Sequence, residues 1–293
     1  MNLKNLIMKN LKLLRTTVAL LFVLMTLQGQ TAEPAKKKLQ IFILAGQSNM
    51  VGHANPHTIV TLLQSDDASD KRLAQMIFKN GNDLSQKALS EHLVRARKID
   101  GLTGGISNEK IKAMKPGPEK TALEAEVKKL KEAHEAFKNK ILSACVVSDQ
   151  VYIASIADGN KGSGPLTVGF GGSRDKIGPE LSFGLSMAQK MDAPILIIKT
   201  SWGGKSLNYN FRPPSAGPYK LNEKEQAAKN AADIKKNASL NWRMMNEAVH
   251  NVLKDLKKHH PKYDATVGFE MAGFVWFQGF NDQFSDEFRD NYR

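Results

Sequence analysis

Short, almost continuously apolar runs alternate with amphipathic stretches along most of the chain. Residues 39–44, 194–199 and 272–277 are such runs, and residues 151–156 form a weaker one. Runs of this length without polar alternation are typical of strands that are buried on both faces of a parallel sheet. The stretches between them can supply the helices that connect parallel strands, so the pattern predicts an α/β fold of three layers.

Two of the connecting stretches carry clear helix signals. Gly178, Pro179 and Glu180 place a turn, a proline and an acid ahead of a helix predicted over residues 181–191. A second helix is predicted from about Ser239, a favourable N-cap residue, to residue 258. Its expected buried side consists of Leu240, Met244, Val249, Val252, Leu253 and Leu256.

Residues 60–145 have a different character, because Lys, Glu and Ala dominate them. Spacings of four and three define the apolar side of one predicted helix, formed by Leu123, Val127, Leu130, His134, Phe137 and Ile141. With residues 71–98 as its partner, this segment is predicted to be an inserted helical hairpin. We interpret it as a solvated pair of helices rather than a partner-binding arm, and His134 as a packed side chain rather than a ligand.

The first 32 residues have the layout of a secretory signal peptide. Basic residues precede the apolar run 18–27, and polar residues and Ala32 follow it. The run is too short for a membrane span, so no stable membrane anchor is expected. The mature protein is predicted to comprise residues 33–293 and to be secreted or periplasmic, with a retained N-terminal anchor as the alternative.

Charge and cysteine content restrict the kinds of partner and site. The formal net charge is +13, which makes an acidic polysaccharide one partner to consider. The basic residues are not interleaved with aromatic ones, and the chain carries an export signal, so nucleic acid is not expected. Cys145 is the single cysteine, which excludes an intramolecular disulfide and a cysteine-rich zinc site, and its apolar neighbours predict a core position.

The first candidate for chemistry follows the first apolar run. Ser48 lies in a tight turn between Gly46 and Gly52. In an open parallel sheet, ligands bind beyond the carboxyl ends of the strands, where a serine nucleophile could use backbone N–H groups to stabilise an oxyanion. A turn with a helix-capping serine explains the residues Gly46–Asn49 equally well.

Two further candidates follow the other clear strands. After residues 194–199, the adjacent Gly203 and Gly204 suit a bare backbone close to a reacting group; a phosphate-binding loop is excluded because Lys199 stands where its first glycine belongs. After residues 272–277, Gln278 and Asn281 offer side-chain N–H donors to an oxyanion. For Asn281 alone, capping of the next helix is the alternative.

These three segments, in this order and at these strand ends, resemble the sialate O-acetylesterase domain of the SGNH hydrolase superfamily, close to carbohydrate esterase family 6. The resemblance covers residues 39–293 and implies a flavodoxin-like parallel sheet and an acetylated sugar as substrate, either a sialic acid or an acetylated polysaccharide. It implies Ser48 as nucleophile, with the oxyanion held by Gly203 or Gly204 and by Gln278 or Asn281. The expected substrate-binding residues are Gln47, Asn49, Trp202 and Arg212, and no metal or cofactor is expected.

The same resemblance predicts that part of the machinery is missing. The family keeps its general base, a histidine, with an acid three residues earlier, after one more strand near the C-terminus. None of the seven histidines in this chain has an aspartate three residues before it. We therefore predict that the last strand, the base and its acid are absent and that the chain is nearly inactive towards p-nitrophenyl acetate. The alternative is a carbohydrate-binding relative that has lost catalysis.

Overall fold

A five-stranded mixed sheet forms the centre of the protein. The strands are β1 (Leu39–Gly46), β2 (Val151–Ser155), β3 (Gly162–Pro165), β4 (Ile195–Ser201) and β5 (Phe269–Phe277). Their order across the sheet is β3-β2-β4-β1-β5. The computed structural model describes residues 36–79, 84–105, 107–159 and 161–292. The predicted signal peptide lies outside these residues.

The sheet corrects the prediction of parallel strands at one edge. β2, β4, β1 and β5 are parallel to their neighbours, whereas β3 pairs antiparallel to β2. The sequence of β3 is Gly-Ser-Gly-Pro, which has no apolar run, so the hydrophobic pattern could not indicate a strand there. The proline ends the short strand at the sheet edge, where a missing N–H is tolerated.

β5 is an edge strand rather than a strand covered on both faces. Every residue of β4 is buried, but Phe274 and Phe277 of β5 are 52% and 46% exposed. β5 also begins at Phe269, three residues before the predicted run. The apolar character of residues 272–277 therefore identified the strand correctly but overestimated its burial.

Helices cover both faces of the sheet. On one face, Leu181 and Leu185 pack in a cluster with Ile195 and Ile197, and on the other, Val252 packs with the alternate strand residues. Two kinds of helix supply these layers and the connecting segments. The α-helices are α1 (Ser48–Val51), α2 (Ala68–Ile77), α3 (Gln86–Thr103), α4 (Glu109–Ala113), α5 (Pro118–Ala144), α6 (Pro179–Lys190), α7 (Glu223–Gln226), α8 (Ala231–Asn237), α9 (Leu240–Lys254), α10 (Leu256–His259) and α11 (Asp286–Asp290), and the 3-10 helices are Pro56–Gln64, Pro214–Ala216 and Phe280–Phe284.

The predicted helix at residues 239–258 is confirmed in position but not in its cap. Ser239 has φ of 61° and makes no side-chain capping bond. Instead, the backbone N–H groups of Asn241 and Trp242 donate to the carbonyl of Asn210. The helix breaks between α9 and α10, and Leu240, expected on the buried side, is exposed. A carbonyl from a distant loop has replaced the local side chain as the cap.

The inserted segment is helical, as predicted, with one difference. α5 contains all six residues of the predicted apolar side, of which Val127 and Ile141 are buried, and Pro118 is the first residue of this helix. The stretch expected as its partner is divided into two helices, α2 and α3, and α3 is the one that packs against α5. Cys145, which follows α5, is buried and free, and burial raises the pKa of its thiol to about 12.

Three histidines pack together where the insertion meets the 3-10 helix at residues 56–64. The ring of His134 stacks on His92 with centroids 4.1 Å apart, and His57 approaches His92 edge-on at 5.0 Å. His92 is 1% exposed, and neither of its ring nitrogens has a hydrogen-bond partner. Burial, with smaller contributions from His134 and His57, lowers the pKa of His92 to about 4.

Acid is therefore expected to destabilise the protein through His92. The folded state binds the proton less tightly than the unfolded chain, so this histidine's contribution is present above pH 6.5 and is lost as the pH falls towards 4. Between pH 7.5 and 4.5 the loss is about 2–3 kcal/mol. Urea unfolding at pH 7.5 and at pH 4.5 measures this change in the free energy of unfolding. The wild type is compared with His92→Phe, which keeps a stacking ring. Equal pH dependence in the two proteins would contradict the assignment.

Candidate functional site

The three motif segments begin at the same edge of the sheet. Gly46, the last residue of β1, is in register with Ser201 of β4 and with Phe277 of β5. Hydrogen bonds tie the segments together just beyond this edge: Gln47 N–H donates to the Phe277 carbonyl at 3.2 Å, and Trp202 N–H donates to the Gly46 carbonyl at 3.1 Å. β1 lies between the other two strands, so its loop stands at the centre of the candidate site.

Ser48 opens the short helix α1, and its neighbour Gln47 holds it. The Oε1 atom of Gln47 accepts hydrogen bonds from the Ser48 N–H at 2.6 Å and from the Ser48 hydroxyl. Gln47 is almost fully buried, whereas Asn49 is exposed. The position of Gln47 thus favours orientation of the Ser48 side chain over direct contact with a ligand, while Asn49 remains accessible to one.

Gly203 lies beside the serine. A Cβ atom on Gly203 would be 3.9 Å from Ser48 Cβ and 3.8 Å from Asp158 Oδ2. The Gly203 N–H donates to Asp158 Oδ2 at 2.9 Å, whereas no hydrogen bond of the Gly204 N–H is found in the described part of the chain. Sequence analysis missed Asp158, although it follows the weaker strand 151–156 and therefore belongs to the same edge as the three motifs.

The two carboxamides of the third segment have different surroundings. Gln278 Nε2 donates to the Lys205 carbonyl at 2.7 Å and to Asp282 Oδ2 at 3.2 Å. Asp282 is buried and also accepts the N–H groups of Leu207 at 2.8 Å and Asn208 at 3.0 Å. Gln278 and Asp282 thus connect the second and third segments. The Asn281 amide makes no hydrogen bond within the described residues, which favours Asn281 as the available donor.

Trp202 and Arg212 stabilise the loop after β4. The Trp202 ring is 5% exposed and packs against Phe211 with ring centroids 5.9 Å apart. The Arg212 guanidinium donates to the carbonyls of Asn208, Ala216 and Gly217 and to the Asn208 side chain. These contacts correct the expectation that both side chains face the substrate, because their surfaces and donors are already used within the loop.

The histidines have different surroundings. Across the described residues, the Ser48 hydroxyl donates to Gln47, and no histidine ring bonds to it. His250, His259 and His260 make hydrogen bonds with Asn246, Ser163 and Gln150 respectively, and His57, His92 and His134 form the cluster described above. His53, in the loop after α1, is exposed and lies against Gly172.

A buried ion pair between Lys199 and Glu180 contacts the end of α1. Lys199 Nζ donates to Glu180 Oε2 at 2.7 Å, to the Val51 carbonyl at 2.8 Å and to the Phe170 carbonyl at 2.7 Å. Both charged side chains are at most 1% exposed, and Glu180 Oε1 also accepts the Gly178 N–H. Burial raises the pKa of Glu180 and lowers the pKa of Lys199, while their mutual attraction opposes both shifts. Lys199 could have been noticed as a lone charge ending an apolar run.

The described residues contain neither a metal-binding cluster nor a membrane-spanning helix. No group of three or more His, Cys, Asp and Glu side chains in this part of the chain is arranged to hold a metal ion. No helix among the same residues has the length and apolar character needed to cross a membrane.

Comparison with known proteins gives a distant structural likeness. No protein-family model matches the chain, and no curated protein matches it. The X-ray structure of a protein from Arabidopsis thaliana is similar with 12% sequence identity and a TM-score of 0.35. The match covers 87% of this chain and 64% of the Arabidopsis chain, so the chain spans less than two thirds of that protein's length.

Proposed function

We propose that this protein is a carbohydrate O-acetylesterase with the flavodoxin-like, three-layer fold of SGNH hydrolases. The observation that supports it most is the position of Ser48 at the end of the central strand β1, between the ends of β4 and β5. Gly203 lies beside this serine, and the Asn281 amide makes no hydrogen bond to any residue that the structure describes. This is the arrangement that acyl transfer through a serine requires: a nucleophile with N–H donors from separate segments around it.

In the proposed reaction, Ser48 Oγ attacks the acetyl carbonyl and the hydroxyl proton passes to a base. The tetrahedral oxyanion is held by backbone N–H groups at Gly203 or Gly204 and by Asn281. Collapse breaks the bond to the sugar oxygen, which takes up a proton, and leaves acetyl-serine. Water then releases acetate and restores the serine.

The resemblance places the base, a histidine, and its acid after a further strand. Phe274 and Phe277 on the edge strand β5 are about half exposed, and a strand packed beside β5 would cover such side chains. We propose that the base comes from that position, since within the described residues the Ser48 hydroxyl donates to Gln47 and no histidine ring bonds to it.

A carbohydrate-binding protein without catalysis is the second candidate. The observation that favours it is the hydrogen bond of the Ser48 hydroxyl to Gln47 rather than to a base. A binding protein needs the pocket but no proton acceptor, whereas an esterase without its base loses several orders of magnitude in rate.

Covalent acetylation separates the two candidates. Residues 33–293 are incubated with p-nitrophenyl acetate, an activated ester, with imidazole added as an external base. Peptide mass spectrometry then locates any acetyl group. We expect acetylation of Ser48 in the wild type and none at this position in Ser48→Ala, with Ser143→Ala as an exposed serine control. Binding of acetylated xylo-oligosaccharide without any acetylation of Ser48 would instead support the binding protein.

A further inference from the structure

Asp158 lies in a loop that the backbone holds close to the candidate site. Its N–H donates to the carbonyl of Ser201, the last residue of β4, at 2.9 Å. The next residue, Gly159, has φ of 85° and packs so closely on Gly172 that a Cβ atom there would lie 2.6 Å from its backbone. Contacts on both sides thus fix where the Asp158 side chain begins, so its position next to Gly203 follows from the fold.

The Asp158 carboxylate accepts the hydrogen bond of the Gly203 N–H, which lies next to Ser48. Its Oδ2 atom lies 2.9 Å from Gly203 N, which is the distance expected between an oxyanion-hole donor and its oxygen. The same Gly203 lies against Ser48 Cβ. An acyl oxygen bound to this N–H would have to take the place of Oδ2. Asp158 is exposed, so its side chain can turn into water when a ligand displaces it.

We propose that Asp158 is a specificity-determining residue, which occupies the Gly203 N–H in the empty site and selects neutral esters over anionic ligands there. The inference rests on the esterase function proposed above. A neutral acetyl carbonyl has only to replace one hydrogen bond, whereas a carboxylate ligand also meets a like charge.

This selection acts against the product of the proposed reaction. Hydrolysis adds water across the ester, giving the sugar hydroxyl and acetic acid, which loses its proton to become acetate. The neutral substrate becomes an anion at the position where the Asp158 carboxylate returns to Gly203. Asp158 therefore favours departure of acetate over its retention.

The test observes the Gly203 amide directly. Trp202-Gly203 is the single Trp-Gly pair in the sequence, so labelling Trp with ¹³C at its carbonyl and Gly with ¹⁵N gives one peptide signal in a carbonyl-correlated NMR spectrum. Residues 33–293 are titrated with acetate and with its neutral analogue acetamide. The variants are Asp158→Asn, which keeps an acceptor oxygen without the charge, and Asp158→Ala, which removes both. Asp149→Asn is the control. Asp149 is an exposed carboxylate that pairs with Lys262 at 3.3 Å, and it precedes β2, whereas Asp158 follows β2.

We expect Asp158→Asn to tighten acetate binding at least tenfold and to change acetamide binding less than about twofold. Asp158→Ala should tighten both, and Asp149→Asn neither. Equal or weaker acetate binding in the Asp158 variants, with normal thermal unfolding, would overturn this inference and leave the esterase proposal intact. No shift of the Gly203 signal by either ligand in any protein would contradict both.

Discussion

Replacement of Glu180 by alanine is expected to lower the free energy of unfolding by about 3–5 kcal/mol. The change leaves Lys199 as an unpaired charge in the interior, where its Nζ contacts Glu180 at 2.7 Å and two backbone carbonyls. Removing one member of a buried pair is costly because the remaining charge loses its partner and cannot return to water. One of the two carbonyls belongs to Val51, so the loss also loosens the turn that carries Ser48.

Two comparisons isolate the buried charge as the cause. Urea unfolding of the double variant Glu180→Gln with Lys199→Met should show a smaller loss than Glu180→Ala, because no charge is left in the interior. Asp149→Ala breaks an exposed pair with Lys262 and should cost less than about 1 kcal/mol. If Glu180→Ala proved no more destabilising than Asp149→Ala, the ion pair would not stabilise the fold as described.

The second large effect is expected from Gly46→Ala. Gly46 has φ of 155°, and a Cβ atom there would overlap the Phe277 carbonyl oxygen, lie 2.7 Å from its carbon and lie 3.1 Å from Met50 Cβ. Backbone strain and overpacking together should cost about 3 kcal/mol. To relieve the overlap, β1 and β5 have to move apart at Gly46 and Phe277, two residues before Ser48, so acetylation of Ser48 should fall as well.

Gly162→Ala is the matched control for this effect. Gly162 has nearly the same φ, 151°, but a Cβ atom there would meet nothing within 4 Å. The difference in unfolding free energy between the two variants therefore reports the contact with β5 rather than the backbone conformation. Equal destabilisation of the two proteins would show that the close approach of β1 and β5 has no energetic weight.

The apolar runs indicated β1, β4 and β5 as strands, but they indicated neither the strand β3 nor the exposure of β5. β1 and β4 are almost continuously apolar, and their positions were confirmed within a few residues. β3 escaped prediction because pairing with β2 requires only backbone groups, which its glycines provide without any apolar signal. The exposure of β5 was missed because strand order, and hence which strand lies at an edge, depends on contacts between distant residues.

The site could be anticipated in its location but not in its partners. The rule that ligands bind beyond parallel strand ends predicts that the segments after β1, β4 and β5 meet at one edge, and Gly46, Ser201 and Phe277 are in register there. The sequence could not decide whether Gln278 or Asn281 has the available amide, because the answer depends on which of the two donates to the Lys205 carbonyl. In the structure Gln278 does. Asp158 and the pair of Glu180 with Lys199 were missed for the same reason, since their partners are far away in sequence.

The central place of β1 separates chemistry from recognition in this architecture. β1, which leads into Ser48, lies between β4 and β5 and is mostly buried. Ser48 therefore has little freedom to adapt to ligands of different shape. Adaptation is left to the rim, where Asp158 and the loop after β4 project beyond the sheet. We therefore expect substitutions in these loops to change ligand specificity without moving Ser48. The same loops are the positions at which specificity can be engineered.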